Sequence, residues 1–129
     1  MKKVILLVTV VAVIASQAAT ASAASNYTLP QREAIASAQT YLGMGSGFSR
    51  SGLIQQLSSK YGDGFSKALA VFAVNHIRVN WYQQAFLAAK GYLKTSSFSR
   101  SGLIQQLTSK YGSGFTLTQA VYAVKKLGY

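Results

Sequence analysis

The chain has 129 residues, with 13 Lys+Arg, two Asp+Glu, one His and no Cys, for a formal charge of +11. The missing Cys excludes disulfides, a thiol nucleophile and Cys-based zinc sites. Two carboxylates (Glu33 and Asp63) and one His (His76) are too few for a carboxylate metal cage, a His cluster or a dispersed acid–base centre. The inventory predicts a non-enzyme with no catalytic residue, metal site or cofactor.

The chain opens like a secretory signal. Met1-Lys2-Lys3 is cationic, Val4 to Ala15 is an apolar run, and small residues follow up to Ala21-Ser22-Ala23. Cleavage is expected after Ala23 or, two residues earlier, after Ala21. The competing reading is a retained membrane anchor, but the apolar run falls short of the roughly 20 residues that span a bilayer. Cleavage after Ala23 leaves 106 residues carrying a net +9 and no integral membrane segment. An exported, Cys-free, basic protein suits the outside of a bacterium, where walls and membranes are anionic.

Residues 24–30 form a short segment containing the single Pro30, and a tandem duplication follows. Phe48–Ile77 laid over Phe98–Leu127 gives 20 identities in 30 positions. The ten residues Phe48–Leu57 recur unchanged as Phe98–Leu107. Upstream the match continues at an offset of 51, because Gly43–Gly47 holds one residue more than Lys94–Ser97. Residues 31–78 and 79–129 are the two copies.

Each copy is predicted to be three helices. In the first, Ala34, Ile35, Ala38, Tyr41 and Leu42 share a face. In the second, Leu53, Ile54, Leu57 and Tyr61 form a core-facing stripe. Ser49 or Ser51 is suited to cap the second helix, with Gly62 as its left-handed stop. The third follows Ser66, or Thr116 in the second copy, and buries Ala70, Val74 and Ile77, or Ala120, Val124 and Leu127. Asn80 caps the next helix just before Trp81. A copy of this size sits near the lower limit for folding alone, so Trp81 is expected to pack the copies together.

An Ala-rich helix with Tyr-Leu is followed by Phe-Ser-x-x-Gly-Leu-Ile-x-Gln-Leu, then Tyr-Gly-x-x-Phe and Ala-x-x-Ala-Val. The pattern resembles the Ltp-like repeat of the host cell surface-exposed lipoprotein family of Gram-positive bacteria and their phages. Val79-Asn80-Trp81 resembles that family's junction between repeats. The resemblance spans about Gln31 to Tyr129. It implies an all-α fold of two tandem three-helix, helix-turn-helix-type units at the cell surface. For phage-encoded members it implies superinfection exclusion, in which entry of another phage's DNA is blocked after adsorption. The lipobox Cys of the lipoprotein members is absent, and the chain is more basic than the repeats associated with exclusion.

Polar residues repeated outside the core are the candidate partner-binding surface: Arg50, Gln55, Ser59 and Lys60, with Arg100, Gln105, Ser109 and Lys110 in the second copy. Two weak sites in tandem would gain avidity on a repeated or elongated partner. Recent duplication with little divergence preserves such residues equally well. Phe72 and Tyr122, opposite the core face of the third helices, are expected to cover neighbouring helices. His76 is expected to cap a helix end. Tyr41, Tyr61, Tyr92 and Tyr111 are all assigned to core stripes.

Three functional readings follow. The first is a non-enzymatic secreted or surface binding protein that blocks phage DNA entry through a protein partner, such as a phage injection component. The second is a wall or membrane-surface structural or adhesin-like module held by charge instead of lipid, with teichoic acid as the anionic wall polymer. The third is a secreted cationic antimicrobial. Sequence-specific DNA binding is not expected, because the third helices are poor in Arg/Asn/Gln base readers and the signal exports the chain.

Overall fold

The computed structural model describes residues 26–129. The predicted signal, residues 1–23, and its cleavage positions lie outside the described residues. Six helices follow in order: α1 (Leu29–Gly43), α2 (Arg50–Ser58), α3 (Lys67–Asn75), α4 (Trp81–Thr95), α5 (Arg100–Thr108) and α6 (Leu117–Lys126). Among the described residues the fold is all-helical, two tandem units of three helices each.

Every helix starts on a side-chain cap. The hydroxyls of Ser49, Ser66 and Ser99 and the amide oxygen of Asn80 each accept the backbone N–H three residues on. Thr28 with Gln31, and Thr116 with Gln119, close full capping boxes. Such a cap stabilises its helix by about 1 kcal/mol, which matters for helices of nine residues that are too short to persist alone.

Each unit has its own core. In unit 1, Leu53 and Leu57 of α2 fill the space between α1 and α3, whose facing positions are Ala34, Ala38, Ala70 and Ala73. Unit 2 repeats this with Leu103 and Leu107 against Ala85, Ala89, Ala120 and Ala123. Alanine on the facing helices lets their backbones approach closely and leaves the two leucines to supply volume. Trp81, the first residue of α4, packs against the core of unit 1, as expected of a residue joining the units.

Two expectations are corrected in the turn after α2. The helix ends at Ser58, with Ser59 extended, so the four-residue step from Leu57 does not carry Tyr61 onto the core stripe. Tyr61 is 88% exposed and Tyr111 is 90% exposed. The left-handed glycines are Gly64 (φ +70°) and Gly114 (φ +72°), not Gly62. Gly62 is required for space instead, since a Cβ there would run into the Gln56 carbonyl oxygen. The same turn closes both units: Phe65 N–H donates to Leu57 O (2.9 Å) and Phe115 N–H to Leu107 O (2.8 Å).

Candidate binding surface

The substantial helix-on-helix packing lies within units, and the units join along a seam of loops. Ser49, the α2 cap, is 2% exposed, and its hydroxyl donates across the seam to the Ser113 carbonyl. Ser51 Oγ donates to Gly114 O (3.0 Å), and Phe48 N–H donates to Gln84 Oε1 of α4 (3.0 Å). Gly47 (φ +83°) lies directly on the α4 backbone, where a Cβ would collide with Ala88 N and Gln84 O. The Gly43–Gly47 loop thus brings a glycine-only backbone onto the next unit.

A cleft of about 390 Å³ opens beside this seam, lined by Phe48, Gln55, Ser59 and Tyr61 of unit 1 and by Gly112 and Ser113 of unit 2. Of the eight candidate residues it gathers only Gln55 and Ser59. Their counterparts Gln105 and Ser109 do not line it, so the two copies of the surface stand in different settings. Ser59 and Ser109 also have a local role, their hydroxyls accepting the N–H of Tyr61 (3.1 Å) and Tyr111 (3.2 Å). That turn requirement is one reason these serines recur.

The cations divide in the same way. Lys60 Nζ lies 4.9 Å from the Tyr61 ring centre and Lys110 Nζ 5.1 Å from that of Tyr111, so each turn presents an exposed lysine–tyrosine pair. Assigning both tyrosines to the core missed this pair; the extended Ser59 that ends the helix is its cause. Arg50 donates to Asn75 Oδ1 (2.6 Å). Arg100 cannot repeat the bond, because Lys125 stands where unit 1 has Asn75 and offers no acceptor.

Phe72 stacks on His76 at 3.9 Å and meets Tyr27 edge-on at 5.5 Å, and Tyr122 meets Tyr82 edge-on at 5.3 Å. Tyr122 covers part of α4, as expected, and stays half-exposed, whereas Phe72 packs on His76 at the end of its own helix and on Tyr27 ahead of α1. His76 is the C-cap of α3, with Nδ1–H donating to Phe72 O (2.7 Å). Tyr41 donates to Asp63 Oδ1 (2.5 Å), tying α1 to the α2–α3 turn. That bond to the Asp63 carboxylate raises the Tyr41 pKa above its usual 10.0. In unit 2 a neutral pair replaces it, Tyr92 with Ser113 (2.7 Å).

Residues 30–77 and 80–127 each match the family model described as host cell surface-exposed lipoprotein. No curated protein sequence matches the chain. A solved structure of Ltp, a superinfection exclusion protein from the Streptococcus thermophilus temperate phage TP-J34, is similar over 78% of this chain and 97% of that one, with 30% identity and a TM-score of 0.68. Among the described residues, no helix is long and apolar enough to cross a membrane.

Proposed function

The chain belongs to the host cell surface-exposed lipoprotein family, and from that premise we propose that it is a non-enzymatic surface protein acting in superinfection exclusion. In this reading it blocks the DNA of a second phage after adsorption. The carrying observation is the similarity to a superinfection exclusion protein, which extends over 97% of that protein's solved chain and both repeats of this one. The seam supports the reading physically. Two units locked by Ser49, Ser51 and Gly47 hold their surfaces at a fixed spacing, so a partner touching both gains avidity without an ordering penalty.

The surface proposed to meet the partner consists of Arg50, Gln55, Ser59 and Lys60 with Arg100, Gln105, Ser109 and Lys110. The lysine–tyrosine pairs at Tyr61 and Tyr111 extend it. Tyrosine is a frequent anchor of protein–protein contacts. The partner is a protein component of the incoming phage's injection apparatus.

The test is to plate a panel of phages on a Gram-positive host with and without the chain, scoring adsorption in parallel. The expected result is fewer plaques with undiminished adsorption for at least one phage. Reduced adsorption would reassign the chain to receptor masking, and unchanged plaque counts across the panel would remove the exclusion role. Replacing Lys60, Tyr61, Lys110 and Tyr111 together by Ser should abolish plaque reduction while leaving the helical fold intact.

A further inference from the structure

The two units share a fold and a turn but differ on one face. On α4, Tyr82, Phe86, Lys90 and Lys94 recur every fourth residue and so form a stripe. On α6, Tyr122 and Lys126 lie beside it. Lys126 Nζ joins the two helices, donating to Gln83 Oε1 (3.1 Å) and lying 4.4 Å from the Phe86 ring centre, while Lys90 Nζ sits 5.4 Å from the same ring. Tyr82 and Tyr122 pack edge-to-face and remain 42% and 39% exposed. The result is an exposed aromatic cluster ringed by lysines.

Unit 1 makes nothing of this kind from the same backbone. The matching α1 positions are Gln31, Ile35, Gln39 and Gly43, and the matching α3 positions are Phe72 and His76. Its aromatic is covered by Tyr27. Lysines in a last helical turn favour the helix dipole, yet α1 and α3 have no basic residue in theirs and fold alike. Lys90 is not in a last turn at all. Helix stability alone therefore does not call for the lysines. The two acids of the chain, Glu33 and Asp63, are both in unit 1, so unit 2 carries six Lys/Arg and no acid.

We propose that this α4–α6 face of unit 2 docks the chain on the anionic headgroup surface of a phospholipid bilayer. Rings of Tyr82 and Tyr122 sit at headgroup depth, with hydroxyls toward water. Lysine stems lie along the apolar boundary while their ammonium groups meet lipid phosphates. A polyphosphate wall polymer has use for the lysines but not for exposed tyrosines between them, and the aromatics therefore favour a bilayer. Binding of such a face scales with the apolar area it buries and with its attraction to anionic lipid, and this face supplies both. The sequence contains no Cys to carry a lipid, and this face offers attachment without one. The inference is independent of the exclusion role.

The test is co-sedimentation of the chain, as exported by a Gram-positive host, with phosphatidylglycerol-containing vesicles and with phosphatidylcholine vesicles. Binding should require the anionic lipid and weaken as salt rises. K90Q/K126Q should lower binding about tenfold or more. The charge-matched K67Q/R78Q in unit 1 should lower it much less. Y82S/Y122S, which keeps every charge, should also weaken vesicle binding while leaving adsorption to purified wall teichoic acid unchanged. Circular dichroism checks that each variant is folded, and the salt and lipid dependence of the unaltered chain reads out the proposal even where one is not.

Equal losses from the two charge variants would overturn the proposal in favour of net charge. Binding to neutral vesicles that no variant weakens would overturn it in favour of the apolar N-terminal segment. Failure to bind anionic vesicles, with teichoic acid binding retained, would overturn it in favour of the wall polymer.

Discussion

Tyr41 and Tyr92 occupy the same place in their units, but only Tyr41 donates to a carboxylate. Its raised pKa means the folded state favours the neutral phenol, so this contribution is fully present below pH 10 and fades as pH rises through the higher folded value. Melting temperatures of the unaltered chain and of Tyr41→Phe, measured from neutral to strongly alkaline pH, should differ most at neutrality and converge above pH 10. A gap that widened with pH would assign the opposite sign. Leu57 and Leu107 are fully buried. Truncating either to Ala should remove about 2–5 kcal/mol in urea unfolding, through lost transfer energy and the cavity left behind. Gly64 and Gly114 share a positive φ, but a Cβ meets nothing at Gly64 and meets Ser51 Oγ (2.7 Å) at Gly114. Gly64→Ala should therefore cost only the backbone strain of about 1–2 kcal/mol. Gly114→Ala should cost more and should loosen the seam, read as a larger loss in the same unfolding experiment.

At the scale of elements, the first turns of α2 and α5 are identical in sequence and differ in burial. Ser49 caps α2 and bonds across the seam; Ser99 caps α5 and is exposed, sharing a hydroxyl contact with Ser101 (3.3 Å). Ser99→Ala should destabilise by about 1 kcal/mol, the worth of a cap. Ser49→Ala should destabilise by about 1–3 kcal/mol beyond that, because the Ser113 carbonyl loses its buried donor. Equal losses would mean the seam bond contributes nothing. The caps and core stripes were legible in the sequence because they depend on neighbours three and four residues away: Ser66, Thr116, Asn80 and the Leu53–Leu57 pair all stand where the pattern put them. The turn was not. Whether Tyr61 continues the α2 stripe depends on where the helix stops, and that is set by the Gln56 carbonyl packed against Gly62 and by the Phe65–Leu57 bond, both of which reach past the three- and four-residue steps of the pattern. The seam was invisible for the same reason. Gly47 belongs by sequence to a Gly-rich loop, and only the fold shows it held against α4.

For the whole molecule, duplication supplied two copies of one fold, and divergence gave them different surfaces. The half-seam that Ser49 and Ser51 present to unit 2 recurs as Ser99 and Ser101 at the far end of the chain, but Ser97 stands where Gly47 makes the close approach. Tyr129 covers that end instead, its hydroxyl donating to Phe98 O (2.8 Å). Two units thus share one seam and present different outward faces. The repeat and its resemblance to a surface family were plain in the residues. The α4–α6 face was not, because its lysines and tyrosines come from two helices that only the fold brings side by side.

The most direct test of the central claim follows the DNA itself. Cells with and without the chain are infected with a phage whose DNA is labelled, and the fraction of adsorbed DNA that reaches the cytoplasm, protected from external nuclease, is measured. Exclusion after adsorption predicts that the protected fraction falls sharply in cells carrying the chain while the adsorbed total is unchanged. Normal entry, with infection failing only later or not at all, would contradict it.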